Sequence, residues 1–595
     1  MYLKCHPRVK DGKEHRYWSI AEKYRCADGR SVDRHVLYLG EINDSQQARW
    51  LHCIEAFEEG THRQLRLALF PADRAIPAHA ADVGVQVRLQ EFRLEHPRQW
   101  GACWVACQLW RQLQLDAFWQ ERLPPSREGT AWPHVLLLLV AYRFLAPGSE
   151  WQLHREWVHH SALGDLLGAD IGGVAKDTLY RCLDKLLPHK ADLFTFLTRR
   201  WQDLFGATYD LLLYDLTSTY FESDPPDNET DPRRYGYSRD HRPDCVQVVL
   251  ALVITPEGFP LAYEMLPGNT ADSTTLPLFL AQIETRYGQA RRIWLMDRGI
   301  PTEAHLADLR ARGAQYLVGT PKGRLTKLEQ ALLAVPWQAA RPSVQVKLLP
   351  QEEELYVWVQ SAARVAKERA MRRRRLKRLW ARLHALQRQR PTYETLLLKL
   401  GAAQQAAGRA ASLVEITLPP PPPPKTERAR RVDFTFRLDT RKLRQVRRRE
   451  GRYLLRSNLT ATDPAQLWEY YLHLVEIEAV FKTLKDELAV RPIYHQRPDR
   501  VEAHVFVAFL AYCLHVTLTA QLRPHAPGLT VRQVLEKFAA MQLLDVHFPT
   551  TDGRELIFTR HTEPDRDQQL LLAQLGWTLP PQPPPRITAK RALQM

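Results

Sequence analysis

The chain opens on alternation. HRYWSIAEKYR and VDRHVLYLGEI interleave apolar and polar residues around the polar turn ADGRS, which predicts a small β-hairpin unit over residues 1–45. From 46 to 205 the spacing becomes helical. LWRQLQLDAFW, HVLLLLVAYRFL and DTLYRCLDKLLPHKADLFTFLTRRW carry their apolar residues along one helix face, with Asp177 as a cap for the last. From 206 to 318 the pattern shifts to short, strongly apolar runs: TYDLLLYDLT, CVQVVLALVIT, FPLAYEML and RRIWLMDRG. The second and third flank Pro256-Glu257-Gly258 as a hairpin, and TTLPLFLAQIETRYG reads as a helix before the fourth. A buried strand, a hairpin, a helix and a further buried strand predict a mixed α/β sheet.

Residues 319–462 read as a separate unit. VQVKLLP, ELYVWVQ and GRYLLRSNL are strand-like, Arg364 to Arg390 is a long helix, and Pro419 to Pro424 is an extended six-proline run. Asp463-Pro464 then opens a helix reaching about Leu488, which Arg491-Pro492 stops. The remainder to 577 is expected to be helical, and residues 578–595 a Pro-rich tail without fixed structure.

Charge sharpens this division. The chain of 595 residues carries a net +16, yet Arg364 to Arg456 alone holds 27 Lys and Arg against seven Asp and Glu. The rest is therefore slightly acidic. Between Arg364 and Arg390, twelve basic residues face one acid, so an unpartnered helix there is self-repelling and DNA phosphate is its natural counterion. Arg372, Arg373, Arg374, Arg375, Lys377 and Arg378 are the expected contacts. Trp337, Trp358 and Trp380 are candidates for stacking on a displaced base. Lys176, Arg181 and Lys185 lie in a stretch with the look of a helix-turn-helix.

The eight cysteines form no metal-spaced pairs and read as reduced thiols of a cytoplasmic protein. The first residues lack an apolar signal core. Val505 to Ala520 is short for a membrane span and reads as a buried core helix, so no membrane partner is expected.

Asp215 ends the apolar run LLLYD and Asp297 ends IWLMD. Carboxylates at the ends of buried strands open onto one sheet edge, where two of them repel unless a cation lies between. Oxygen ligands suit Mg²⁺ or Mn²⁺. Asp210, Glu222, Asp224, Asp240 and Asp244 read as loop or surface acids. A third carboxylate, Glu478, shares a helix face with Tyr471, Leu474, Phe481 and Lys485 at spacings of three and four residues.

This last stretch resembles the Y-x2-R-x3-E-x6-K signature of bacterial insertion-sequence DDE transposases of the group called IS-four. Tyr471, Glu478 and Lys485 take the Tyr, Glu and Lys. Leu474 stands where the Arg is expected, which moves that role to Lys482 or Arg491. YDLTSTYFE, GYSRDHRPDCVQVVLALVITPEGFPLAYEMLPGNTADSTTL and WLMDRG resemble the two Asp blocks and the hairpin between them. EIEAVFKTLKDELAVRPIYHQRPDRVEAHVFVAFLAYCL resembles the Glu block.

The resemblance implies a ribonuclease-H-like α/β core over 206–318 and 463–577. A basic insertion domain with β-strands and a long basic helix would interrupt it, and a hairpin and a helical region would precede it. It implies that Asp215, Asp297 and Glu478 hold two Mg²⁺ or Mn²⁺ ions and that Tyr471, Lys482 and Lys485 contact DNA. The partners implied are transposon-end and target duplexes, bound by a homodimer, with cleavage followed by strand transfer. Two other outcomes stay open: a repurposed transposase that only binds DNA, and a metal-dependent nuclease of the same fold.

Overall fold

The computed structural model describes the chain apart from residues 11–12, 26–30, 44–50, 229, 289–291, 298, 321–327, 329, 352, 421–430, 460–462 and 590–595. The chain forms two compact units. One comprises Thr208–Thr217 and Val249–Ala479; the other comprises Met1–Ala207, Ser218–Val248 and Val480–Met595.

The first unit is organised by a nine-stranded sheet. Its strands in chain order are β1 (Leu211–Phe221), β2 (Val246–Ile254), β3 (Pro260–Pro267), β4 (Ile293–Met296), β5 (Gln315–Gly319), β6 (Gln338–Arg341), β7 (Val344–Gln351), β8 (Glu354–Ser361) and β9 (Arg452–Ser457). Across the sheet they run β3-β2-β1-β4-β5-β9-β8-β7-β6. β4 is parallel to both β1 and β5, while β9 is antiparallel to β5 and β8. The hairpin turn after β2 closes where Thr255 donates its amide to the Phe259 carbonyl at 2.9 Å. The sheet is thus the expected mixed one.

Alternation decides which residues face the core. Leu212, Tyr214 and Leu216 of β1 join Trp294 and Met296 of β4 against Leu276, Phe279, Leu280 and Ile283 of the helix Leu276–Tyr287. Leu306 and Leu309 of the helix Glu303–Ala311 complete this layer. Burial of each such side chain favours folding by about 1.5–3 kcal/mol. Leu213 and Asp215, and likewise Leu295 and Asp297, belong to the other face.

The strands expected in the insertion are present, but they continue the core sheet instead of building a sheet of their own. Arg456 of β9 fixes this join. Its guanidinium binds both Glu303 oxygens at 2.7 and 2.8 Å and also reaches Glu354. The basic helix runs over Ala362–Gln389 and turns back into Tyr393–Ala407. Leu379, Leu383 and Leu386 pack on Leu396, Leu400 and Ala403, so only the second half of the basic helix has an apolar seam. The six-proline run lies outside the described residues beyond Pro420.

The second unit corrects two expectations. Residues 46–205 are not helical throughout. Ile54–Glu58, Gln64–Pro71, Gly84–Val87 and Arg93–Gln99 are strands, and among the described residues α-helices begin only at Gly101. Nor is the C-terminal part purely helical, for Gln542–Pro549 and Glu555–His561 are strands of the same seven-stranded sheet. The Pro-rich tail also has fixed structure up to residue 589. Arg586–Ile587 pair between Glu555–His561 and Ile54–Glu58, and Ile587 is fully buried. Prolines cannot donate, but the Pro585 carbonyl accepts from Phe57 at 2.9 Å, which suits an extended segment laid on a strand edge. The N-terminal hairpin is a three-stranded antiparallel sheet, Tyr2–Lys10, Lys13–Arg25 and Ser31–Glu41. Its Ile20, Val36 and Leu37 pack onto Leu69, Val546 and Phe558.

The helices of this unit gather around Pro498–His525, which packs on Trp132–Leu145. Among the described residues this is the one helix long and apolar enough to cross a membrane, and most of its apolar stretch is buried inside the protein. Trp201 donates to Thr517 at 3.0 Å, and Phe194 meets Phe509 edge-on at 4.9 Å. Asp177 lies in the first turn of Lys176–Leu183; the capping position is Ala175.

Candidate active site

Two strands bring the two aspartates together. β1 and β4 run parallel in the register Leu211 with Ile293, Leu212 with Trp294, Leu213 with Leu295 and Tyr214 with Met296. Continued one step past the end of β4, that register sets Asp215 opposite Asp297. Parallel neighbours lie about 4.8 Å apart, and both residues fall on the face opposite the helix layer. Asp215 is half-buried, and its Oδ1 accepts from the Leu216 amide at 2.8 Å. Asp297 is exposed just past the end of β4. Apolar strands push the acids to the sheet edge, since Leu213 and Leu295 before them are fully buried.

Glu478 is exposed on the helix Pro464–Lys482, whose start is set by Asp463 accepting from the Ala465 amide at 2.9 Å. Two turns before it, Tyr471 stacks on Tyr453 of β9 at 4.6 Å and lies 5.6 Å from Trp468. Burial pushes the Tyr471 phenol above its ordinary range; Arg364 opposes this, and the charges of Asp297 and Glu478 add to the rise.

The expected cations divide. Lys485 does not continue the helix face, because a wide π-turn over Thr483–Glu487 replaces the regular spacing after Lys482. In the second unit Lys485 Nζ binds Asp240 at 3.0 and 3.2 Å, and Arg491 binds the same carboxylate at 2.8 Å. Asp240 is thus a half-buried ion-pair partner, not a free surface acid. Burial holds the Lys485 amine below its usual range. Lys482 is exposed.

On the basic helix, Arg372 is corrected as a DNA contact. Its side chain is buried against Glu450, so its charge is used inside the protein. Arg373, Arg374, Arg375, Lys377 and Arg378 are exposed. The tryptophans are not free for stacking. Trp358 is 1 % exposed and stacks on Trp337 at 5.4 Å, and Trp380 meets Phe436 edge-on at 5.0 Å. Arg181 and Lys185 lie over the Trp132 ring at 5.6 and 4.9 Å, so both have a partner within their own unit.

A second polar cluster escaped the sequence reading. Glu150, His495 and His504 are buried with their ligating atoms within 4.8 Å of one another. His495 Nε2 lies 3.2 Å from Glu150 Oε1, and His504 Nδ1 lies 3.6 Å from it. The buried Arg143 guanidinium stands 3.5 Å from His504 Nδ1 and donates to the Ala489 carbonyl at 2.9 Å. A cation already occupies this neighbourhood, and a divalent ion would leave two buried positive centres against one carboxylate. We read it as an internal ionic lock. Its one signal in the sequence is His504 at the start of the apolar stretch of the helix Pro498–His525.

The family model for the transposase DDE domain matches residues 207–514. No curated protein matches the chain. Two solved structures are similar to part of it. The Mos1 transposase paired-end complex with left transposon end has 12 % identity and a TM-score of 0.14, covering 26 % of this chain and 52 % of that one. The Mos1 mariner paired-end complex with Mn has 13 % identity and a TM-score of 0.13, with the same coverage. This chain spans about half the length of those proteins, and scores so low carry no structural argument. The model match, which takes in both β1 with Asp215 and the helix with Glu478, is the finding that counts: the chain belongs to the transposase DDE domain family.

Proposed function

We propose that this protein is an active DDE transposase of the IS-four group, with Asp215, Asp297 and Glu478 as its cleavage residues on a ribonuclease-H-like core. The observation that supports this most is the parallel register of β1 and β4, which continued by one step sets Asp215 opposite Asp297, each at the end of an apolar run. Adjacent carboxylates raise each other's cost of ionisation unless a cation is shared. The donor set is all oxygen, which fits Mg²⁺ or Mn²⁺. A bound ion supplies activation of the attacking oxygen and stabilisation of the leaving 3′-oxygen.

The chain's own residues do the rest. Asp215, half-buried and tied to the Leu216 amide, is the rigid member of the set. Asp297 and Glu478 are open to incoming DNA. The aromatic layer of Tyr453, Trp468 and Tyr471 holds the Glu478 helix to the sheet. Exposed Arg373, Arg374, Arg375, Lys377 and Arg378 take the DNA backbone, a sequence-independent contact. Transposon-end and target duplexes are the substrates, and a homodimer pairs the two ends.

The test is incubation with duplex carrying the element's own terminus plus a target plasmid, with Mg²⁺ or with chelator. Nicking at the terminus only with Mg²⁺, followed by joining to the plasmid, is expected. Nicking without joining would make the protein a nuclease, and end binding without nicking would make it a repurposed DNA-binding protein.

A further inference from the structure

Residues 233–242, RRYGYSRDHR, interleave four arginines with two tyrosines. They form a loop of the second unit, between β1 and β2. Both strands pin it. Gln247, buried on β2, exchanges main-chain bonds with Arg234 at 2.9 and 3.0 Å, and its side-chain amide donates to the Tyr237 carbonyl at 3.0 Å. Ser218 of β1 accepts from the Arg239 amide at 3.3 Å. The stretch after the Lys485 turn pins the loop twice more. Arg491 binds Asp240 at 2.8 Å, and the buried Arg233 donates to the Gln496 side chain and carbonyl, both at 2.9 Å. Tyr494 lies in the chain between these two anchors.

What the pinned loops leave open is aromatic. Tyr235 is 52 %, Tyr237 82 % and Tyr494 66 % exposed. Three of the six large aromatic side chains exposed among the described residues thus rise from two loops bonded to each other. Rings on a fixed backbone lose little freedom when a partner stacks on them, so they suit binding. The charge around them selects the partner. Four arginines of residues 231–245, with Lys485 and Arg491, stand against three aspartates of the loop and the paired Glu222, a positive excess of two. Open rings interleaved with cations match a nucleotide, which brings a base to stack and a phosphate to neutralise. Bases within a duplex are already stacked, so the match is to unpaired ones.

We propose that Tyr235, Tyr237 and Tyr494 form a stacking platform for unpaired nucleotides of a DNA strand, with the loop arginines meeting its backbone. Trp337 and Trp358, expected for such stacking, lie against each other instead. The proposal rests on DNA as the partner and needs no cleavage by Asp215, Asp297 and Glu478.

The experiment titrates the full chain into a single strand carrying one fluorescent adenine analogue and, separately, into the blunt duplex of the same sequence. The unaltered chain is compared with Tyr237→Ala, Tyr237→Phe and the triple variant Tyr235→Ala, Tyr237→Ala, Tyr494→Ala. The unaltered chain is expected to quench the analogue in the single strand. Tyr237→Ala weakens single-strand binding about tenfold and the triple variant about a hundredfold, while blunt-duplex affinity stays within about twofold. Tyr237→Phe keeps the affinity, because a phenyl ring stacks as a phenol does. The slope of log affinity against log salt stays unchanged in every variant, since no charge is removed. Single-strand affinity of the triple variant within about twofold of the unaltered chain, or emission that binding leaves unchanged, overturns the proposal. Loss of self-association in the triple variant with unchanged strand affinity also overturns it, and makes the patch an interface between copies. Quenching by the unaltered chain decides alone if an alanine variant does not fold. Binding to duplex with no quenching of the single strand sinks the platform and leaves DNA as the partner; binding to neither form sinks both.

Discussion

A strand-end aspartate is chemically ambiguous until its neighbour is known, and here the neighbour is another aspartate. Apolar runs in the sequence pointed to Asp215 and Asp297, because both end buried strands. Their adjacency was not legible there, since it depends on β4 pairing with β1 across a hairpin and a helix. Lys485 shows the opposite limit. A spacing of seven residues after Glu478 reads as one helix face, but one π-turn re-aims the side chain to Asp240. The Arg143, Glu150, His495 and His504 lock had almost no signal, as its members lie far apart in the chain. It carries a pH prediction. Burial and the nearby Arg143 charge lower the His504 imidazole from 6.5 to about 4, so between those values the unfolded chain binds the extra proton. Stability therefore falls as pH drops from 6.5 to 4, by about 3 kcal/mol from this group. The two histidines hold the Glu150 carboxyl below its ordinary range against the opposing effect of burial, which adds a further loss below about 4.5. Urea unfolding at pH 7.5 and pH 5 checks this; equal midpoints would contradict it.

At the scale of elements, the basic helix was legible because charge density is a local property. Which of its arginines face solvent was not, because that depends on Glu450, which follows the helix by sixty residues and neutralises Arg372. The consequence is a contrast between neighbours. Replacing Arg373, Arg374 and Lys377 together by Ala should lower the slope of log affinity against log salt by about three, with thermal stability hardly changed. Arg372→Ala should leave the slope alone and destabilise the chain by about 3 kcal/mol, since buried Glu450 then keeps only the exposed Arg369, 3.5 Å away, as a partner. Anisotropy titrations across a salt series, paired with melting curves, distinguish the two; a slope lost with Arg372 would contradict the assignment.

At the scale of the whole molecule, local pattern fails where strands find distant partners. Ile54–Glu58 and Arg93–Gln99 lie in one sheet with residues 542–587, and nothing in a short window records so long a connection. Propensity gives little help, as strand preference reflects packing with neighbours. The same non-local closure makes the C-terminal strand structural. Ile587→Ala should cost about 2–4 kcal/mol and expose residues 578–589 to protease, whereas a freely extending tail would be cut equally in both proteins. The insertion, by contrast, adds its strands to the open edge beyond β5, so the segment of highest charge hangs on the same sheet as the two aspartates.

The central claim is that the Asp215, Asp297 and Glu478 carboxylates perform cleavage and are not needed to hold DNA. Single-turnover cleavage of terminus duplex in Mg²⁺, measured beside its binding affinity for the unaltered chain, Asp297→Ala and Glu478→Ala, tests it most directly. Each variant is expected to bind within about threefold of the unaltered chain and to yield no nicked product. Nicking by either purified variant at the unaltered rate would contradict it.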